Sequence, residues 1–327
     1  MPTGTLKQHR LHLIADIGGT HARFALCTSV HTIQKISVMA VADFPAIDDA
    51  IVHYLHSVGD PQVRHAVIGI ANPVLGDHVK MTNFPWEFSI EATRKSLGFE
   101  KLHVINDFTA QALALPYLTP EDLLPIGGGL AVAATPLGVL GPGTGLGVSA
   151  LIPTAKGSWL PLAAEGGHVS FAPSDDLEMM LWQEACKEFG HVSMERLVSG
   201  SGLQFIYRKL CQRDGAGEHD YSPADISHRA IANTCAYCRE ALDTFCAILG
   251  TAASDLAVTL GARGGIYIGG GIIPKLGSYF PASPFRARFN AKGRFSDYLA
   301  AIPVFVIVND KSALLGAAAH LDAYPDE

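Results

Sequence analysis

The stretch ADIGGTHARFAL, Ala15 to Leu26, decides how the rest of the chain is read. An aspartate closes an apolar run, two glycines and a threonine follow, and a second apolar run begins. Glycine accepts positive φ and lets a ligand come close to the main chain. Consecutive N–H groups in such a turn form an anion nest, and the Thr20 hydroxyl adds a donor. Asp16 would repel a phosphate unless a cation stood between them, which points to Mg2+. Taken alone, the turn is also readable as a plain β-hairpin.

Outward from this turn, LHLIADIG, ARFALCT and TIQKISVMAV are β-rich and closely spaced, as in an antiparallel meander. AIDDAIVHYLHSVG places Ile47, Ile51, Leu55 and Val58 at helical spacing. HAVIGIANPV reads as a buried strand with DHVKMTN as its hairpin return, and SIEATRKSLGF as a helix capped by Ser89. KLHVINDFT is a further buried strand that ends in polar residues, with a helix, AQALALPYL, after it. A second strand–glycine turn–strand unit stands at PLGVLGPGTGLGVSALIP. The middle of the chain is helical: LEMMLWQEACKEFG, SGLQFIYRKLCQRDG and the long RAIANTCAYCREALDTFCAILGTAASDLAVTLGA. GGIYIGGGIIPKL runs from a strand into a third glycine turn, IPVFVIVND is another strand, and KSALLGAAAHLDAY a terminal helix. Two α/β units, each opening on a glycine turn, predict two lobes with a cleft between them.

Composition narrows the function classes. The 327 residues are 48% hydrophobic and 17% charged, with net charge -7. That acidity argues against a nucleic-acid surface, while a local anion site remains compatible because main-chain N–H groups can hold phosphate. The apolar run in MPTGTLKQHRLHLIADIGG is short for a signal peptide, and LAVAATPLGVLGPGTGLGVSALIP is broken by glycine and proline, so no membrane span is expected. Six cysteines in a chain of this length do not make a disulfide framework, and a cytoplasmic protein is expected. No Walker A motif occurs, and GPGTGLG fails GxGxxG because position 146 is Leu and position 148 is Val, which disfavours a dehydrogenase.

Three glycine corners in this order change the reading. DIGGTHARFAL, GPGTGLG (Gly141 to Gly147) and GGGIIP resemble the phosphate-1, phosphate-2 and adenosine motifs of the actin-like ATPase and sugar kinase superfamily. More closely, INDF (105–108), TNFPWEFS (82–89), AEGGHVSFAP (164–173) and MERLVSGSGL (194–203) resemble internal sequences of the bacterial glucokinases, over nearly the whole chain. The resemblance implies an α/β, two-lobed actin-like (ribonuclease H-like) fold with a cleft for ATP and a hexose. The expected lobes are a small one, residues 1–117 with 310–327, and a large one, residues 118–309. It also implies phosphorylation of glucose at the 6-hydroxyl. Another hexose or amino-sugar kinase, or a non-catalytic sugar sensor, stays open as an alternative. A dimer is usual in the family resembled.

Candidate residues follow. A kinase acting on an alcohol needs a carboxylate that orients the attacking hydroxyl and accepts its proton. Asp107, at the end of a strand, is that candidate base, and it is equally placed to cap the helix after it. Glu165 and His168 in AEGGHVSF stand beside bare main chain, where an acceptor-only carboxylate and a donor would read sugar hydroxyls. The resemblance implies that Asn106, Glu165, His168 and Glu195 hold the sugar together with Asp107. Asn83 is a second-rank candidate. On the nucleotide side the candidates are Ala15, Asp16, Ile17, Gly18, Gly19, Thr20, Gly143, Thr144, Gly145 and Gly270, with Asp16 holding Mg2+ through water. His21 stands where the family usually has asparagine, and Pro142 removes one N–H from the second turn. Cys235 and Cys238 lie in a helical stretch with no second pair, unlike a zinc cluster. RARFNAKGR reads as a solvated basic loop.

Overall fold

The computed structural model describes residues 11–82, 84–217 and 219–323. Asn83 and the N-terminal segment MPTGTLKQHR therefore lie outside the described residues. The chain divides into two compact units, Met1–Leu118 with Asp310–Glu327, and Thr119–Asn309.

The first unit opens on an antiparallel meander of β1 (His12–Ile17), β2 (His21–Cys27) and β3 (Ile33–Ala40). There follow α1 (Ile47–Ser57), β4 (His65–Ile70), β5 (His78–Lys80), β6 (Glu87–Ser89), α2 (Ile90–Ser96), β7 (Lys101–Asn106) and α3 (Asp107–Ala114). The sheet order is β3-β2-β1-β4-β7, with β1, β4 and β7 parallel. β1 and β4 are central and covered on both faces, so they read as continuous apolar runs. Leu13, Ile17, Phe24, Tyr54 and Trp86 are fully buried among them, and the Trp86 indole N–H donates to the Phe44 carbonyl at 3.0 Å. The C-terminal helix, Ser312–Ala323, packs on α3, β1 and β4.

Two sequence expectations for this unit need correction. DHVKMTN is not the hairpin return of β4, because both flanks of β4 are taken by β1 and β7. Its strand, β5, pairs instead with β6, and Glu87 bridges His78 and Lys80 across that ribbon. β7 is an edge strand, and only Leu102 and Val104 of it are buried.

The second unit contains β8 (Leu123–Pro125), β9 (Leu137–Pro142), β10 (Leu146–Pro153), β11 (Trp159–Ala164), α4 (Asp176–Phe189), α5 (Met194–Leu197), α6 (Gly200–Arg213) and α7 (Pro223–Ile231). After these come α8 (Ala236–Leu260), β12 (Gly265–Ile268), α9 (Tyr279–Ala282), α10 (Phe285–Asn290), α11 (Ser296–Ala300) and β13 (Val304–Ile307). The sheet order is β11-β10-β9-β12-β13-β8. With β8 set aside, order and strand directions repeat those of the first unit: an antiparallel meander, then two parallel strands. The β1–β2 turn and the β9–β10 turn thus hold equivalent places in the two sheets.

The long helix expected from RAIAN to LGA is two helices. α7 ends at Ile231, Asn233 takes φ 54°, and α8 begins at Ala236. Asparagine tolerates that left-handed conformation and breaks the run there. α8 is long and apolar enough to cross a membrane by length and composition alone. Here it is the core helix of the second unit: Cys238, Leu242, Phe245, Ile248 and Leu249 are fully buried, and α6, α7 and α10 pack around it.

Candidate active site

In the first unit the candidate residues gather along one edge of the sheet. The registers set Ile17, Ile70 and Asn106 side by side at the carboxyl ends of β1, β4 and β7. Such an edge is where open α/β sheets bind ligands. Asp16 lies level with Gly69 and Ile105, and Asp107 follows two residues beyond Ile105 as the first residue of α3. Gly69, between them on β4, lies close under α3: a Cβ there would meet the Ala110 Cβ at 3.4 Å and the Asp107 Cα at 3.8 Å.

The cap of α3 is Asn106, not Asp107. The Asn106 Oδ1 accepts from the Phe108 and Thr109 N–H groups at 2.9 and 3.2 Å, while Nδ2 donates to the Asn72 carbonyl at 3.4 Å. Asp107 is the first residue of the helix, and its Oδ1 accepts from the Phe108 N–H at 2.9 Å. Its carboxylate is half-buried at a helix N-terminus, where the dipole favours negative charge. Asn72 was not singled out in the sequence. It donates to the Lys80 carbonyl and accepts from the Thr82 N–H and hydroxyl, so it ties the segment after β5 to the neighbourhood of Asn106.

At the first turn, Gly18 N–H donates to the His21 carbonyl at 3.0 Å, and Thr20 is exposed. Ala15 and Ile17 are fully buried strand residues; they hold the turn from beneath. Gly18 does not take positive φ; what it offers is bare main chain. The cation facing Asp16 is a second residue missed by sequence reasoning. Arg23 lies directly opposite on β2 and its guanidinium reaches the Asp16 Oδ2 at 3.2 Å. Burial pushes the Asp16 carboxyl above its ordinary range, and Arg23 pulls it part of the way back. The signal was the seven-residue spacing across a tight turn, which makes the two residues cross-strand partners.

In the second unit three motifs meet. The Gly143 N–H closes its turn on the Gly145 carbonyl at 2.8 Å, and Thr144 is exposed at the tip. A Cβ on Gly143 would meet nothing within 4 Å, so the main chain there is open to a ligand. The third corner lies against this turn: the Gly269 N–H donates to the Leu140 carbonyl at 2.8 Å and the Ile272 N–H to the Pro142 carbonyl at 3.3 Å. Gly270 takes φ 80°, and a Cβ there would overlap the Pro142 carbonyl, so only glycine fits. Pro142, lacking a donor, serves here through its carbonyl.

Glu165 precedes a 3-10 turn, Gly166–His168, that ends on His168, and both side chains are exposed. Glu195, in the first turn of α5, is half-buried. Its Oε2 accepts from the Leu146 N–H at 2.8 Å, and its Oε1 stands 4.0 Å from the His168 Nδ1. Trp86 and Phe88 are core residues of the first unit.

Against this geometry the comparisons are decisive. A glucokinase family model matches residues 13–324. The chain belongs to the glucokinase family. Glucokinases from Chromobacterium violaceum and Neisseria meningitidis are 55% and 51% identical to it over 309 and 310 residues, covering 94% and 95% of this chain and 88% and 94% of theirs. A crystal structure of a glucokinase from an Antarctic psychrotroph is 39% identical, covers 96% of this chain and 99% of its own, and superposes with a TM-score of 0.86. A ROK family glucokinase from Streptomyces griseus, solved with glucose and AMPPNP, shares the fold at 20% identity and a TM-score of 0.65, covering 94% of this chain and 98% of its own. The glucokinase family places the chain among ATP-dependent hexose kinases with the α/β actin-like kinase fold.

Proposed function

We propose that the chain transfers the γ-phosphoryl group of ATP to the 6-hydroxyl of D-glucose, with Asp107 as general base. The observation that carries this reading is the placing of two carboxylates on one sheet edge of the first unit. Asp107 opens α3, and Asp16 lies beside the Gly18–Thr20 turn.

In this reading Asp107 orients the hydroxyl and takes its proton as the oxygen bonds to phosphorus. Asn106 keeps its Oδ1 on the helix cap, so its Nδ2 is the group turned toward a sugar. Glu165, His168 and Glu195 hold the remaining hydroxyls. Gly18, Gly19 and Thr20, and likewise Gly143, Thr144 and Gly145, offer donors to phosphate oxygens, with Gly270 on the adenosine side. Transferring a phosphoryl group is mostly positioning and charge neutralisation.

The residues present fit Mg2+ in the way phosphoryl-transfer sites use it. No group of three or more acidic, histidine or cysteine side chains stands ready for a metal among the described residues. One carboxylate with substrate phosphates and waters suffices for this ion. Asp16 would hold it through water, where it neutralises phosphate charge.

Six cysteines, all free thiols, accord with a cytoplasmic setting. A homodimer is the expected assembly, read by light scattering. The deciding experiment measures ATP-dependent ADP release with glucose, mannose, fructose and N-acetylglucosamine. Turnover highest on glucose is expected. Preference for an amino sugar or mannose would replace the substrate, and no turnover on any would remove the kinase reading.

A further inference from the structure

The sugar-side and phosphate-side segments of the second unit are joined at one carboxylate. The Glu195 Oε2 accepts from the N–H of Leu146, the first residue after the Gly143–Gly145 turn, at 2.8 Å. A Cβ on Gly145 would overlap that same oxygen. Gly145 does not take positive φ, so its lack of a side chain answers to the carboxylate rather than to backbone handedness. The turn is tied a second time by the Gly200 N–H, which donates to the Gly143 carbonyl at 2.9 Å from the start of α6. On the far side, a Cβ on Gly167 would overlap the Leu146 carbonyl, so the 3-10 turn that carries His168 is seated on the residue Glu195 holds.

We infer that Glu195 is a positioning residue for the phosphate turn 143–145 as well as a sugar ligand, and that sugar and nucleotide affinities are coupled through it. The inference rests on the sugar-holding role proposed above. A main-chain N–H donated to a carboxylate is charge-assisted and stronger than a neutral hydrogen bond. Removing the carboxylate releases Leu146 and lets the turn depart from the geometry that presents its N–H groups. A sugar hydroxyl on Oε1 holds the carboxylate in the rotamer that grips Leu146 through Oε2. Linkage makes the effect reciprocal: whatever the sugar adds to nucleotide affinity, the nucleotide adds to sugar affinity.

Titration calorimetry on the full chain tests this with AMPPNP and Mg2+ in the absence of sugar, and separately with glucose in the absence of nucleotide. Glu195→Ala should weaken AMPPNP binding about tenfold although no sugar is present. Glu195→Gln keeps an oxygen that accepts from Leu146, so it should recover AMPPNP affinity to within about threefold while remaining poor for glucose. His168→Gln should leave AMPPNP affinity within about twofold. Gly145→Ala, a change in the phosphate turn, should weaken glucose binding about tenfold, and should cost glucose nothing further in the Glu195→Ala background.

Unchanged AMPPNP affinity in Glu195→Ala overturns the inference, even where glucose binding is lost and the sugar role stands. A Gly145→Ala variant that disturbs nucleotide alone overturns it equally. Absence of glucose binding in the unaltered chain would instead remove the sugar reading. Should Glu195→Ala fail to fold by its thermal melt, the Gly145→Ala result decides.

Discussion

Asn106 and Asp107 are neighbours in sequence and divide two tasks between them. Asn106 satisfies the first N–H groups of α3, and Asp107, whose Oδ1 shares the Phe108 N–H, opens the helix as the proposed base. Asp107→Asn should lower kcat at least about a hundredfold, as loss of a general base does, while glucose binding by titration stays within about threefold. Turnover equal to the unaltered chain would remove the base assignment. The Asp16–Arg23 pair gives a second prediction. Burial raises the Asp16 carboxyl, so its ionisation works against the folded state as pH rises, and Arg23 offsets this. Arg23→Met should therefore cost about 1–2 kcal/mol near neutral pH, less than for a fully buried pair because Arg23 faces solvent. The loss should shrink as pH is lowered and Asp16 is protonated. Thermal melts near pH 7.5 and near pH 5 read the difference, and a loss that grows toward acid would refute it.

At the scale of elements, the position of α3 depends on a helix from the other end of the chain. The C-terminal helix approaches α3 so closely that a Cβ on Gly316 would overlap the Ala110 carbonyl. The obstacle is main chain and cannot swing aside. Gly316→Ala should destabilise by roughly 2–3 kcal/mol, lowering the melting temperature by roughly 4–10 °C by calorimetry. The small residues of KSALLGAAAH show that some close helix packing is intended, yet they do not name its partner. Local signals served well where the chain pairs with itself nearby. The β1–β2–β3 meander and the Ser89 cap of α2 follow from turn chemistry and spacing. They failed where pairing is a choice among distant partners. β5 has three residues and one buried side chain, too little pattern to say that β6 rather than β4 takes it. The break between α7 and α8 turns on one asparagine within an otherwise helical run.

For the whole molecule, each unit carries its own buried core, and the first unit also carries an acid-sensitive feature away from the turns. A cavity of about 430 Å³ lies where the starts of β1, β4 and β7 meet the end of the C-terminal helix. His12, His65, Lys101, His103, His320 and Asp322 line it. Burial, and then the neighbouring His103, depress the His320 imidazole to about 4. A histidine depressed on folding binds fewer protons in the native state than when unfolded. Stability is therefore full above the ordinary histidine range and falls as pH drops from about 6.5 toward 4. The melting temperature of the chain should decline over that window, and His320→Gln should flatten the decline. An unchanged slope in the variant would assign the acid sensitivity elsewhere.

By itself the sequence determined the local chemistry: three glycine corners in order, the polar end of β7, and the apolar periodicities that make two α/β halves. These depend on neighbours a few residues apart, where steric and hydrogen-bonding rules act directly. Only the tertiary structure decided which carboxylate meets which cation, that Asn106 takes the cap, and that Gly145 is small to admit Glu195. Those facts bring together positions up to fifty residues apart in contact (Glu195 and Leu146 are 49 apart). Packing sets the distant meetings, which no local pattern records, while the Asp16–Arg23 pair and the Asn106 cap are local contacts that become readable only once the strand registry and the start of α3 are fixed.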